Sequence, residues 1–204
     1  MTDDARIVDE GGYQLETFVK RQRAFNEKEF WFLPAHNPGG RVELTAGGIW
    51  VDSHLDGNSR SLVAQAKTLL RRLETNGSGY ALTLGVTRLR PPAPAAYETN
   101  PYVNGIASFS FAEDRVVLHT NIGARRDSGA GITRATWGVG FEVSLAERLW
   151  GIVEEYGERG AKPTRHLGLR YWIVPNHVQV DTTLGFQNTD PERRFHTVGL
   201  RLLF

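Results

Sequence analysis

The chain of 204 residues contains no cysteine, so it has neither a disulfide framework nor a thiolate metal site. Its formal net charge is only +1, and nucleic-acid binding usually requires a basic excess or stripe, so no nucleic-acid partner is expected. It also has no run of eighteen apolar residues, which excludes a transmembrane helix. A membrane β-barrel is still allowed, because alternating strands keep the overall hydropathy as low as that of a soluble protein.

A signal peptide is missing as well. The first four residues are acidic where a signal peptide is basic, and no apolar core follows them. Met1 is nevertheless the only methionine, which is typical of a start codon placed before a mature, signal-stripped sequence. Residues 1–11 are polar and acidic, and we expect them to form a flexible N-terminal leader or a segment tucked into the rest of the protein.

The end of the chain carries the clearest positive pattern. Over residues 196–204 every second residue could face an apolar medium, which predicts a β-strand with one apolar face. A final strand that stops on an aromatic residue resembles the closing strand and assembly signal of bacterial outer-membrane β-barrels. We predict that this signal consists of Val198, Leu200, Leu202 and Phe204. An ordinary buried strand at a chain end is the alternative.

The same alternation recurs along the chain and predicts twelve strands, an even number, as single-chain outer-membrane barrels have. Residues 62–70 would also suit an amphipathic helix because they are good helix formers. We predict a strand there, since strands precede and follow it at regular spacing. The pattern does not determine which residues face inward near 29–35 and 149–157.

The predicted connections alternate between long and short. If the first strand rises from the periplasm, the outer connections are 22–28, 52–60, 89–100, 124–133, 157–165 and 188–194. The inner connections are shorter and lie at 36–40, 72–78, 112–115, 144–148 and 174–177. Short periplasmic turns and longer outer loops are typical of outer-membrane barrels.

Aromatic residues fall near both ends of the predicted strands. Those expected to face outward near the inner rim are Tyr13, Tyr80, Phe141, Trp150, Tyr171 and Phe204. Those expected near the outer rim are Trp50, Trp137, Tyr156 and Phe186. Two aromatic belts separated by aliphatic residues are typical of membrane–water boundaries. We therefore predict an all-β fold, a twelve-stranded antiparallel transmembrane β-barrel of the outer-membrane type over residues 12–204.

The other face of the strands carries polar and charged residues. We expect this face to line the lumen through Glu16, Glu43, Gln65, Lys67, Arg71, His119, Asn121, Glu142, His166, Arg170, Asp181 and Arg201. A barrel of about twelve strands is wider than an eight-stranded one, whose interior side chains can fill. It can therefore hold water and a narrow pore. The alternative is that the charges pair with one another and, with the leader, plug the lumen.

No catalytic or metal site is predicted. Some outer-membrane barrels hydrolyse lipids with a His and a Ser two residues apart on a strand, but His119-Thr120-Asn121 has Asn in place of Ser. A hydroxyl from a neighbouring strand is the remaining route to such a site. The loop at 52–57 resembles a calcium loop only weakly, because Val63 stands where a bidentate Glu is needed. We expect no enzyme activity and no cofactor.

Several short motifs are similar to an outer-membrane family labelled "MetA-pathway of phenol degradation" or "transporter". They are Thr2-Asp3-Asp4-Ala5 followed by Gly12-Tyr13-Gln14-Leu15-Glu16, Ala64-Gln65-Ala66-Lys67-Thr68, Leu118-His119-Thr120-Asn121-Ile122-Gly123 and the closing Gly-rich strands. The resemblance covers most of the chain. It implies a small outer-membrane barrel that moves small molecules, aromatic or apolar compounds among them, and it carries over no catalytic motif.

We therefore predict a monomeric barrel in the bacterial outer membrane that acts as a passive channel for small molecules. Its expected partners are outer-membrane lipids, the barrel assembly machinery, which would bind the C-terminal strand, and a small-molecule solute. Three alternatives stay open at this point. They are an outer-membrane lipid-modifying hydrolase, a plugged barrel with a structural role, and a soluble ligand-binding barrel.

Overall fold

A computed structural model describes residues 2–22, 26–55, 57–187 and 194–204. These residues form one closed antiparallel barrel of twelve strands, in which each strand pairs with its neighbours in sequence and β1 pairs with β12. The strands are β1 (Tyr13–Gln22), β2 (Glu27–Gly39), β3 (Val42–Ser53), β4 (Ser59–Arg71), β5 (Ser78–Arg90), β6 (Glu98–Phe111), β7 (Val116–Asp127), β8 (Ile132–Ala146), β9 (Leu149–Glu158), β10 (Thr164–Val174), β11 (Val178–Gln187) and β12 (Phe195–Leu203). The described residues include no helix long and apolar enough to cross a membrane.

Residues 62–70 are part of a strand, as predicted, because they lie within β4. The strands extend further at their outer ends than the apolar pattern indicated, so that β5 and β6 leave only residues 91–97 between them instead of 89–100. Backbone pairing continues there through polar residues, because ladder hydrogen bonds do not require apolar side chains. In the predicted connections at 22–28 and 188–194, residues 23–25 and 188–193 lie outside the described residues.

The outer surface of the barrel is apolar. In β5 the exposed Tyr80 and Leu84 alternate with the buried Ala81 and Thr83, and the other strands repeat this arrangement. Large apolar side chains such as Ile122 therefore project outward, and no described element covers them. An uncovered apolar surface that surrounds a closed barrel requires a hydrocarbon environment.

Most of the predicted aromatic belts are exposed on this outer surface. They include Tyr13, Tyr80, Phe141, Tyr171 and Phe204 toward the inner rim, and Trp50 and Trp137 toward the outer rim. The outward assignment of Trp150 and Tyr156 was wrong. In β9 Val153 is 49% exposed and Ile152 only 9%, so the even-numbered residues of this strand face inward. Because Trp150 and Tyr156 fill space in the lumen, the inward face of β9 is not more polar than its outward face, and alternation does not distinguish the two.

The last strand closes the sheet. Val198 pairs with Val19 and Arg201 with Glu16, which fixes the register between β12 and β1. At the inner rim the backbone groups of Tyr13 and Phe204 exchange hydrogen bonds of 2.9 and 3.1 Å. The barrel thus has no unpaired edge between its first and last strands, as a lipid environment demands.

Candidate channel lumen

Residues 2–8 of the N-terminal leader lie inside the barrel, and residues 9–11 are exposed at its inner rim. The chain turns back at the inner rim, where Gly11 has a φ of 76° and its backbone N–H donates to the carbonyl oxygen of Asn37. Glycine suits this position because the left-handed region is costly for other residues. Beyond the turn, Val8 and Ala5 are buried, and Ala5 packs in a cluster with residues 69, 81 and 106.

Side chains of the barrel wall bind the backbone of the leader. The N–H of Ala5 donates to the Ser108 hydroxyl at 2.9 Å, and that of Val8 donates to Glu43 at 2.8 Å. Asn121 accepts from the N–H of Asp3 at 2.7 Å and donates to its carbonyl oxygen at 2.9 Å. These bonds satisfy backbone groups that would otherwise be buried without partners, which explains how a polar segment can occupy the interior.

Ion pairs add to this attachment. The Lys67 ammonium group lies 2.8 Å from Asp3 and 3.5 Å from Asp4, and its side chain is only 6% exposed. Arg6 lies 3.5 Å from Asp4 and 3.4 Å from Glu142. A buried ammonium group needs such carboxylates, because an unpaired charge in the interior is strongly destabilising.

Arg170 is the centre of a second set of ion pairs, on strands β8, β10 and β11. Its guanidinium lies 2.5 Å from Glu142 and 2.9 Å from Asp181, and Gln179 donates to Asp181 at 2.8 Å. These residues hold one another across neighbouring strands. This part of the wall is therefore fixed independently of the leader, apart from the contact between Glu142 and Arg6.

Arg201 extends these polar contacts to the closing strands β12 and β1. It donates to Gln14 through Nε at 2.9 Å and through Nη2 at 2.5 Å, and its Nε lies 3.3 Å from Glu16. We call the five residues Arg6, Glu142, Arg170, Gln179 and Arg201 the polar layer.

Two cavities meet at the polar layer. A central cavity of about 250 Å³ lies at mid-height, and an inner cavity of about 520 Å³ lies among the inner turns. All five residues of the polar layer line both cavities. Each cavity is large enough for several water molecules and is lined by polar groups that can hold them. The polar layer is thus the constriction between the inner rim and the middle of the barrel.

The central cavity has an excess of acidic groups. Seven carboxylates line it, from Asp3, Asp4, Glu16, Glu43, Glu142, Glu154 and Asp181, against four basic side chains, from Arg6, Lys67, Arg170 and Arg201. The only histidine in this lining is His119. Low-dielectric walls strengthen the field of such an excess, which attracts cations and repels anions.

Above this cavity the lumen narrows again around His166, which is 1% exposed. Its ring contacts the Tyr156 hydroxyl and the Glu154 carboxylate, each at 3.1 Å, and it packs edge-on against Phe195. Near the outer mouth Arg125 lies 2.7 Å from Glu158. The interior is therefore a series of polar contacts separated by cavities that can hold several water molecules, and not a wide aqueous pore.

The structure places eleven of the twelve predicted lumen residues inside the barrel. Nine line the central cavity, namely Glu16, Glu43, Gln65, Lys67, His119, Glu142, Arg170, Asp181 and Arg201. Asn121 contacts the leader and His166 is buried above the cavity. Arg71 lies elsewhere, exposed at the inner rim and 3.8 Å from Glu74. A register shift between Leu69 and Arg71 turns it away from the lumen.

Sequence reasoning missed three parts of the site. The leader carboxylates and Arg6 were not among the predicted lumen residues, although the leader contributes a quarter of the charged residues that line the central cavity. Glu154 was missed because the facing of β9 was undetermined. Ser108 was missed although strand alternation would have found it, since it lies between the apolar Ala107 and Phe109.

Ser108 supplies the hydroxyl from a neighbouring strand that a hydrolytic site would need. It lies 2.7 Å from Nδ1 of His119, whose Nε2 lies 3.8 Å from Glu142. The hydroxyl is completely buried, however, and already accepts the N–H of Ala5. A lipid on the outer surface cannot reach it, so the geometry suits a residue that holds the leader and not a nucleophile.

Asp114 lies at the inner turn after β6 and lines the inner cavity. Hydrogen bonds from the Ser110 and Thr75 hydroxyls hold the pKa of its carboxyl group below the ordinary value. A charged carboxylate is thereby kept at the inner mouth. Among the residues that the structure describes, no group of three or more His, Cys, Asp or Glu side chains could hold a metal ion.

Solved outer-membrane channels share this fold. The KdgM porin is 11% identical, with a TM-score of 0.65 over 94% of this chain and 99% of that chain. The NanC porin is 6% identical, with a TM-score of 0.66 over 92% and 98%. The COG4313 outer membrane channel from Pseudomonas putida F1 is 12% identical, with a TM-score of 0.57 over 100% and 99%. The shared fold and the apolar outer surface place the chain in a bacterial outer membrane.

Sequence comparison gives the family. No curated protein matches the chain at a significant level. The family label suggested by the short motifs, MetA-pathway of phenol degradation, is not confirmed. A family model matches all of residues 1–204, and the chain therefore belongs to the family described as uncharacterised conserved protein UCP029691.

Proposed function

We propose that this protein is a passive outer-membrane channel for small hydrophilic solutes, and that its own leader narrows the pore. The observation that carries the proposal is the meeting of the central and inner cavities at the polar layer. The leader and the side chains of the polar layer lie between the two spaces, and the long arginines among them can change rotamer without any backbone movement. The channel fold of the porin neighbours supports the same function.

The lining favours cationic and neutral solutes. Carboxylates exceed basic groups in the central cavity, and the polar layer that joins the two cavities consists of charged groups and one amide. Aromatic or apolar solutes, which the motif resemblance implied, could contact Trp150 and Trp172 in the inner cavity but would have to pass the charges of the polar layer. One KdgM structure contains disordered oligogalacturonate, a polyanion. We infer that the acidic excess of this lumen disfavours a polyanion of that kind.

Planar-bilayer recording of the refolded full-length chain tests this function. We expect small, discrete conductance steps and, in a salt gradient, a reversal potential of the sign that marks cation preference. Membranes that receive the same detergent without protein are the control. If neither the full-length chain nor a chain lacking residues 2–11 conducts, the barrel is plugged for a structural role and the channel function is wrong.

The final strand is the proposed contact for barrel assembly. Val198 and Phe204 are exposed on the lipid side, and β12 closes the barrel within one chain, which fits a monomer. Deletion of Phe204 would remove an aromatic residue of the inner belt and its two backbone hydrogen bonds with Tyr13, but no strand pair between residues 195 and 203. We expect less barrel in outer-membrane fractions, while refolding in detergent stays normal. Equal loss in both assays would make the residue structural instead.

A further inference from the structure

Three arginines lie together on the outward face of neighbouring strands, at the outer end of the barrel. In the pairing of β4 with β5, Arg60 is directly opposite Arg90, and Leu62 is opposite Arg88. Leu62 is 66% exposed and Leu84 is 56% exposed. Arg60 shares the face of Leu62, and Arg88 and Arg90 share the face of Leu84, so all three project toward the lipid side.

Among the residues that the structure describes, the three guanidinium groups have no acidic partner. Like charges opposite each other on adjacent strands are destabilising, yet no carboxylate of the described residues lies within 4 Å of Arg60, Arg88 or Arg90. The ring of Tyr97 lies near two of them instead, 5.2 Å from Arg88 and 5.9 Å from Arg90. Another outward arginine at this end of the barrel, Arg165, is paired with Glu155 at 3.1 Å. The cluster therefore presents three positive charges that no described carboxylate neutralises, which suits an external anion.

The position of the cluster along the barrel axis indicates which part of the membrane it faces. Tyr80 belongs to the inner aromatic belt, and Arg88 and Arg90 follow it on the same face of β5. With a rise of about 3.4 Å per residue and a strand tilt of about 40°, they lie roughly 20 to 26 Å above Tyr80. The apolar band of such barrels is about 25 Å tall, so the guanidinium groups reach the headgroup layer of the outer leaflet.

We propose that Arg60, Arg88 and Arg90, with Tyr97, bind the phosphate groups of the phosphorylated glycolipid that forms the outer leaflet. Guanidinium groups bind phosphate through paired hydrogen bonds, and three of them match the charge of a doubly phosphorylated sugar headgroup. Tyr97 holds two of the three side chains in place before the lipid arrives. The site depends on the membrane location and not on conduction, so it stands whether or not the lumen is open.

The test is binding of lipid A to the full-length barrel in nanodiscs of phosphatidylcholine, measured by native mass spectrometry. Lipid A with both phosphates is compared with the same lipid after enzymatic dephosphorylation. The triple variant R60Q/R88Q/R90Q removes the cluster. The matched control R72Q/R115Q/R148Q removes the same charge from exposed arginines at the inner turns. Heat-dependent gel migration shows that each variant is folded.

We expect the wild-type barrel and the inner-turn control to bind the phosphorylated form about tenfold more tightly than the dephosphorylated form, and the triple variant to lose this preference. A preference that survives in the triple variant would overturn the site. Displacement of lipid A by millimolar inorganic phosphate would show a free-phosphate site and overturn the assignment to glycolipid. The variant Y97L should weaken binding less than the triple variant, because it keeps all three charges.

Discussion

The lumen has two walls that are held in different ways. On strands β3 to β7 the inward residues Glu43, Lys67, Ser108 and Asn121 bind the leader, and we call this the leader wall. On β8, β10, β11, β12 and β1 the inward residues bind one another, and we call this the paired wall. Its members are Glu142, Arg170, Asp181, Arg201 and Gln14.

The difference between the leader wall and the paired wall indicates which contacts the barrel can lose. Without the leader, Lys67 would keep no carboxylate within ion-pair distance among the described residues, since its only pairs there are with Asp3 and Asp4. Removing the partners of a buried charge costs about 3 to 5 kcal/mol unless water replaces them. The paired wall would keep all of its pairs except the one with Arg6. The leader thus occupies the lumen and supplies most of the partners of the leader wall, while the paired wall depends on it only through the contact between Arg6 and Glu142.

Deletion of residues 2–11 should have the largest effect on conduction. The deletion empties the space along the leader wall and lets water reach Lys67, so we expect single-channel conductance to rise severalfold. Planar-bilayer recording measures it, and a variant with a glycine–serine leader of the same length separates filled space from specific contacts. If conductance does not change, the leader does not occupy the lumen in a membrane, and the comparison of the two walls fails.

Substitution of Lys67 by Met should release the leader partially. The substitution leaves Asp3 and Asp4 without their buried ammonium partner, so we expect frequent transitions to a higher conductance level and a loss of roughly 1 to 2 kcal/mol of unfolding free energy. Gating in bilayer records and unfolding in urea are the two measurements. Q65M is the matched control, because Gln65 is the next inward residue of β4 and contacts Tyr102 and Thr45 but not the leader.

Substitution of Arg170 by Gln should change selectivity more than conductance. It removes a positive charge from the polar layer and leaves Glu142 and Asp181 exposed to passing ions, while the leader keeps its attachment to the opposite wall. We expect the reversal potential in a salt gradient to shift toward stronger cation preference. R125Q is the control, since it removes an equal charge paired with Glu158 near the outer mouth. Identical shifts in both variants would contradict a constriction at the polar layer.

The barrel itself could be predicted from the sequence because strand alternation is local information. Twelve strands and their order follow from side chains two residues apart, and residues 62–70 were assigned correctly because neighbouring strands limited the choice. The facing of β9 could not be predicted, because Trp150 and Tyr156 face a lumen that accepts large rings. Arg71 was misplaced because a register shift leaves no mark in an alternating pattern.

Only part of the site could be predicted, because strand alternation is local information. The paired wall follows from alternation, which brings Arg170 opposite Asp181 and Arg201 opposite Glu16. The leader wall does not follow from alternation, because the position of residues 2–11 depends on partners far along the chain, such as Lys67 and Asn121. An acidic, polar segment is equally typical of solvent-exposed chain. Lys67 indicates a binding place for the acidic leader only when the closed barrel is known, because only then is the lysine seen to be buried.

Substitution of Ser108 by Ala should have the smallest effect and should decide what the Ser108–His119 contact is for. The hydroxyl binds the N–H of Ala5 and His119 inside the leader wall, so its loss should cost about 1 to 2 kcal/mol of unfolding free energy and leave conductance nearly unchanged. T83V is the matched control, because the Thr83 hydroxyl is buried on the same wall without a hydrogen-bond partner and its removal should be neutral. Phospholipid hydrolysis, measured for the wild type and S108A in mixed micelles, should be absent in both. Activity in the wild type that S108A abolishes would mean that the leader leaves the wall far enough to admit a lipid, and the leader wall would then be a covered active site and not an anchor.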